Sequence, residues 1–389
     1  MTNHSPLAGI RVVDMSQGIA GPHCGMLFAL YGAEVIKVEP PTGDWMRELG
    51  TRYGKQTSHS AAYNRGKKSI TLDLKDPNGL AAARRLVDSA DVFVENSRPG
   101  VTERLGLGYE EVSKTNAALI YVSVSGYGQD GPYRDRPCTD TVAQAFSGMM
   151  MMNKGMDGTP VKTGVFVIDA LTGLYGFQAA SMALQGRQAD GQGRHVDVNL
   201  MQCIAAIMTP HVLDEYLQDT PPRLPNVPGG VYRTKDGYIL VTLLNEAQFQ
   251  AICTVLGLPE IASDERFNDF DKRALNRDAL LPILQEAFLR ENSDHWADRM
   301  REAKVLTSRV NSPLDWVNDP HVQAVNAAPM VTQPDLGAVP IPNVPGAMPG
   351  GDHDPRHRLP DVGEHTEEVL AELGLDADAI AALTGGKAA

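Results

Sequence analysis

The sequence predicts an α/β fold, with a large domain on a doubly wound, mostly parallel sheet and a smaller α+β domain after it. Three observations carry that prediction. Short β-branched runs alternate with helical segments over the first third of the chain. Those runs are apolar almost throughout, as in strands covered on both faces. A Pro-rich break at 220–228 then precedes a hairpin pattern and a series of helices.

Ile10–Met15 reads as the first strand. Pro22–Tyr31 follows as a short helix, with Pro at its start and Gly32 beyond its end. Glu34–Glu39 and Ser69–Leu74 are the next strands. A helix from Pro77 to Ala90 is capped by Asp76. Strands at Asp91–Glu95 and Ala118–Ser125 complete the alternation, and ligands on such sheets bind beyond the carboxyl ends of the strands. A helix is expected over Asp140–Met152, ending in four methionines that could give a pocket an adaptable wall.

The second domain opens with a hairpin, Gly230–Thr234 and Gly237–Thr242 about Lys235 and Asp236. Helices follow at Glu246–Leu256, Arg277–Arg290 and Asp294–Lys304. From Pro329 to Pro360 the chain is rich in Pro and lacks periodicity, which suits a segment crossing between domains or subunits. Glu364 to about Leu383 returns to an amphipathic helix. The expected divisions are a first segment of the large domain at 1–219, the small domain at 229–328, and a returning segment at 329–389.

A formal net charge of −13 argues against a nucleic-acid or anionic-membrane partner. No apolar stretch is long enough to span a bilayer, and the N-terminus lacks the pattern of a secretory signal. Cys24, Cys138, Cys203 and Cys253 form no Cys-x-x-Cys pair. They read as reduced thiols of a cytoplasmic protein, with no metal site.

Asp169 is the candidate catalytic residue. It ends the apolar run Gly164–Ile168 and opens a helical one. A carboxylate there is either the helix N-cap or an anion held at a helix N-terminus, where acyl-transfer chemistry can also be stabilised. Asn64–Ser69 is a basic cluster, Lys75 follows the next strand, and Arg98 and Arg104 flank Pro99-Gly100. These cations form either a solvated rim or a clamp for polyphosphate. Gly126-Tyr-Gly128-Gln-Asp-Gly131 spells G-x-G-x-x-G, yet Pro132–Pro137 is a poor helix opening, so a tight turn over a ligand fits better than a dinucleotide site. His195 lies in a strand-like run and reads as structural.

Taken together, these runs resemble the class III CoA-transferase family, which includes formyl-CoA and carnitine CoA-transferases and the α-methylacyl-CoA racemases. The matching stretches are Leu7–Asp14, Leu30–Pro40, Arg65–Lys75, Val94–Gly100, Ser125–Pro132, Asp169 with its flanks, and Gly363–Leu370. The resemblance implies two ring-like chains interlocked in a homodimer, each large domain assembled from N- and C-terminal segments. It implies Asp169 as the catalytic aspartate. Gln17, Lys37, Leu72, Lys75, Asn96 and Arg104 match positions lining the CoA site, and Arg98 joins them as a phosphate-binding candidate. CoA and acyl-CoA enter as substrates, with no tightly bound cofactor and a small carboxylic acid as acceptor.

The implied reaction moves CoA from a thioester to a free acid through a covalent aspartyl intermediate. A dicarboxylate pair, such as succinyl-CoA with another organic acid, is the substrate class expected from family breadth. The alternative is an acyl-CoA racemase or isomerase using Asp169 in α-proton transfer. Racemase-type members carry a His after the glycine-proline turn, and here the stretch reads Pro137-Cys138-Thr139-Asp140. Thr139 is no general base near neutral pH. Formyl-CoA transferases carry a longer glycine run where this chain has only Gly229-Gly230.

Overall fold

The computed structural model describes residues 5–155, 158–217, 226–349, 351–352 and 354–384. Two compact units emerge: 1–210 with 326–389, and 211–325. Of the Pro-rich break at 220–228, residues 220–225 lie outside the described residues.

The first unit is built on six strands: β1 (Arg11–Asp14), β2 (Glu34–Glu39), β3 (Lys68–Thr71), β4 (Val92–Glu95), β5 (Ile120–Ser125) and β6 (Arg194–Asn199). All neighbours pair in parallel, in the order β3-β2-β1-β4-β5-β6. The winding reverses between β1 and β4, which makes the crevice beyond their carboxyl ends the expected ligand site.

Alternate residues of the four inner strands feed two cores. Val13, Phe93 and Tyr121 pack under α3 (Pro77–Asp88), with Val369 and Leu370 from the C-terminal helix Thr366–Glu372. Val12, Val92, Val94, Ile120 and Val122 pack on the opposite face, under α1 (Ala20–Leu30) and α5 (Val167–Asp190). Burying both faces explains why the strands read as continuous apolar runs.

The expected helix over Asp140–Met152 is broken. Its first part, α4, covers Asp140–Phe146, and a separate turn covers Met149–Met152. Gly148 between them has φ +86°, outside the helical region. The segment 329–360 holds a hairpin that its lack of periodicity concealed, β10 (Met330–Gln333) with β11 (Gly337–Pro340). The C-terminal stretch is two helices, Thr366–Glu372 and Ala377–Thr384, with Gly374 at φ +77° between them.

The second unit carries the expected hairpin, β7 (Gly230–Arg233) with β8 (Tyr238–Thr242), and β9 (Leu306–Arg309) pairs on the other side of β8. Ile239, Val241, Phe249, Leu284 and Trp296 share its core.

Candidate active site

The loops after β1 and β4 meet at the switch point, and one side chain joins them. Asn96 Oδ1 accepts from the Gln17 N–H at 2.8 Å, and Asn96 Nδ2 donates to the Gln17 carbonyl at 2.6 Å. Both functions of the amide are used in gripping the neighbouring loop. Gly18 follows at φ +84°, and a Cβ there would lie 2.7 Å from the Trp45 ring. Only glycine fits that turn.

Below this loop runs a ladder of buried charges. Lys37 Nζ donates to the Ser16 carbonyl at 2.6 Å and pairs with Asp44 at 3.0 Å. Asp44 in turn accepts from the Gly18 N–H at 3.1 Å. Lys67 pairs with Asp14 at 2.7 Å and also donates to the Pro22 carbonyl and to Asn64. Arg47 grips both oxygens of Glu39 at 2.7 and 2.8 Å. Burial alone would raise the Glu39 pKa, but Arg47 and Lys37 overcome it and bring it to about 2. Buried charge is tolerated here because each ion meets an opposite one.

Asp169 enters from the opposite wall. α5 begins at Val167, after Phe166, so Asp169 lies in the first turn and is not the N-cap. The cap comes from another helix: Asp140 Oδ2 accepts from the N–H groups of Ile168 and Asp169 at 2.7 and 3.1 Å. Gln144 Nε2 holds the other Asp140 oxygen at 2.5 Å, and Gln144 is itself tied to Thr163. α5 is seated on α1 through glycine. A Cβ at Gly173 would lie 2.7 Å from the Ala20 carbonyl oxygen, and His23 on α1 hydrogen-bonds the Ala170 carbonyl at 2.8 Å.

The result is a cleft of about 410 Å³ that contains Asp169, Gln17 and Asn96, with Trp45, Cys138 and Phe166 among its walls. With the helix N-terminal donors taken by Asp140, the Asp169 side chain receives no hydrogen bond from the described residues. Burial and then the Asp140 charge push its pKa up to about 7. A carboxylate so poorly stabilised is more nucleophilic than one in water or in an ion pair.

The remaining candidates fall into two groups. Lys37 and Leu72 are buried, 1% and 2% exposed, and neither lines the cleft. Lys75 and Arg98 are exposed on the loops after β3 and β4, and Arg104 is exposed at the end of the short helical turn Val101–Arg104. A Cβ at Gly100 would lie 3.4 Å from Arg104 Nη1 and 3.7 Å from Arg134 Nη2, so two guanidinium groups gather over that turn. Arg134 carried no sequence signal beyond its charge.

The solvated-rim reading fails for Arg65 and Lys67, which are buried, and holds for Lys68, which pairs with Glu34 and Glu368. The glycine turn Gly126–Gly131 leads into further turns, and the next helix starts only at Asp140. It therefore lacks the helix N-terminus that a dinucleotide fingerprint requires. His195 is structural as expected, bonded to Ser123 at 2.9 Å and stacked on Tyr109. Asp140 and Trp45 are site residues that sequence reasoning missed. An Asp at the start of a predicted helix was the only available sign for the first.

A family model described as CoA-transferase family III matches residues 7–366. The succinyl-CoA–D-citramalate CoA-transferase of Chloroflexus aurantiacus is 36% identical, over 97% of this chain and 96% of that protein. The succinate–glutarate CoA-transferase of Agrobacterium fabrum is 36% identical, over 95% and 96%. Among solved structures, a CAIB/BAIF family protein from Brucella suis superposes with a TM-score of 0.85 at 33% identity, covering 95% of this chain and all of that one.

Proposed function

The chain belongs to CoA-transferase family III and is a CoA-transferase, and we propose that it transfers CoA through a covalent intermediate on Asp169. The observation that carries this reading is the Asp169 carboxylate itself, lining the cleft, unpaired, and raised to about 7.

The Asp169 oxygen attacks the thioester carbonyl carbon, the C–S bond breaks, and CoA thiolate leaves a mixed anhydride. The thiolate then attacks the aspartyl carbonyl, releasing the donor acid and leaving an aspartyl-CoA thioester. An acceptor carboxylate attacks that carbonyl in turn, expelling thiolate and forming a second anhydride. Thiolate attacks its acyl carbon, so the new acyl-CoA departs and Asp169 is free again. One thioester replaces another, so no nucleotide hydrolysis is required.

Arg98, Arg104 and Lys75 are assigned to the CoA phosphates, as exposed cations beyond the carboxyl ends of the strands. Gln17 and Asn96 line the passage to Asp169. Lys37 supports that surface from below through the Ser16 carbonyl, and Leu72 is a core residue next to the strand that leads to Lys75. Binding energy from the nucleotide end of CoA holds the thioester against a weak nucleophile. The names of the relatives favour succinyl-CoA as donor and a second organic acid as acceptor. The interlocked homodimer is part of this proposal, on family grounds.

Asp169→Ala tests the assignment. Transfer should fall by at least ~1,000-fold while CoA still binds. Substantial residual turnover would remove Asp169 as the nucleophile.

A further inference from the structure

Arg65 stands apart from the rest of its basic cluster. Lys67 and Lys68 have carboxylate partners, whereas Arg65 pairs with none among the described residues. It is 6% exposed. Nη1 donates to the Ala62 carbonyl at 2.8 Å, and Nε is buried without a partner. Burial pushes its pKa down to about 10. The adjacent His357 is buried with both ring nitrogens unpartnered, and burial together with the Arg65 charge lowers its pKa. An imidazole is neutral or cationic and supplies no counter-charge to a guanidinium. A guanidinium buried in this way is unfavourable unless an anion meets it.

Arg65 lines a cavity of about 440 Å³ between α2 (Ser58–Asn64) and the β10–β11 hairpin. Ala61, Ala62, Leu336, Val339 and Ile341 supply apolar walls. One cation in an apolar cavity fits a carboxylate carried on a short aliphatic chain.

We propose that this cavity is the substrate's remote-carboxylate subsite, in which Arg65 pairs with the far end of a short dicarboxylic acid. The proposal rests on the transferase reading of Asp169 and deepens it. Arg65 does not line the Asp169 cleft, so a carboxylate that it holds is not the reacting one. A substrate that uses both sites carries two carboxyl groups. His59 on α2 packs edge-on against Phe166, a wall of the Asp169 cleft, with ring centroids 5.6 Å apart, so the two sites are neighbours.

Calorimetry with glutarate and butyrate tests this, because butyrate is glutarate without the remote carboxylate. The wild-type protein should bind glutarate at least ~10-fold more tightly, and Arg65→Met should bind the two alike. Equal binding by the wild type, or a preference that survives Arg65→Met, overturns the proposal. If Arg65→Met fails to fold, Val339→Phe narrows the cavity without removing charge. It should weaken glutarate and leave CoA affinity unchanged, and an unaltered glutarate affinity overturns the proposal. Asp169→Ala should keep the glutarate preference while losing turnover. Failure of the nucleophile assignment therefore reads out separately from failure of the Arg65 subsite.

Discussion

Asp140 caps the helix that carries Asp169, accepting the N–H groups of Ile168 and Asp169 at 2.7 and 3.1 Å. One carboxylate thereby takes the hydrogen bonds that would otherwise stabilise the other. Its own charge raises the second carboxyl further. The pair divides the work: Asp140 holds the helix end, and Asp169 is left without a hydrogen-bond donor among the described residues and with a raised pKa.

The pH profile follows directly. Asp169 must be ionised to attack, and its pKa is raised to about 7. Transfer rate at limiting substrate should rise about tenfold per pH unit below 7 and level off above it. A rate that is flat between about pH 5 and 8 would contradict the role of this carboxyl.

Stability should show the same group with the opposite sign. Asp169 has a folded pKa of about 7 against the ordinary aspartate value of 3.8, so the folded protein binds the extra proton between those values. Rising pH through that window strips the proton and destabilises the fold. Asp169→Asn should therefore be more stable than wild type at pH 8, by roughly 1–3 kcal/mol, with the difference vanishing near pH 4. Denaturant unfolding at the two pH values measures it.

Asp140→Asn keeps an oxygen for the helix cap and removes the charge. The midpoint of the pH–rate profile should move below 7, because one of the two causes of the Asp169 shift is gone. Asp140→Ala also loses the cap and should cost about 1–2 kcal/mol of stability. An unmoved midpoint in Asp140→Asn would show that burial alone sets the Asp169 pKa.

Arg104 and Lys37 should behave differently, although the family resemblance places both at the CoA site. Arg104 is exposed beside Gly100, and Arg104→Ala should weaken CoA about tenfold with a melting temperature near wild type. Lys37 is buried between Asp44 and the Ser16 carbonyl, and Lys37→Met should cost about 3–5 kcal/mol by stranding the Asp44 charge. Thermal melting and CoA titration on both variants separate the two roles. A Lys37→Met protein of normal stability would refute the buried-ladder account.

Much of the fold was legible because its strands are covered on both faces. Runs such as Val92–Glu95 and Ile120–Ser125 stand out for that reason. The β10–β11 hairpin was not, since Val331 and Gln333 are its clearly buried residues and prolines punctuate the segment. Asp169 and its neighbourhood were visible through local pattern and family resemblance. Partnerships across the sequence were hidden. Nothing near Lys67 announces Asp14, 53 residues away, and nothing near Asp169 announces that Asp140 takes its helix N-terminus. Arg65 and Lys67 look alike in sequence, and only the packing shows that one is paired and the other is not.

Chemical trapping tests the central claim most directly. The protein would be incubated with succinyl-CoA, treated with borohydride, digested and examined by mass spectrometry. Reduction of the Asp169 side chain to the alcohol is expected, absent without the thioester and absent in Asp169→Ala. An Asp169 that stays unmodified while the same preparation turns over succinyl-CoA would contradict a covalent route through this residue.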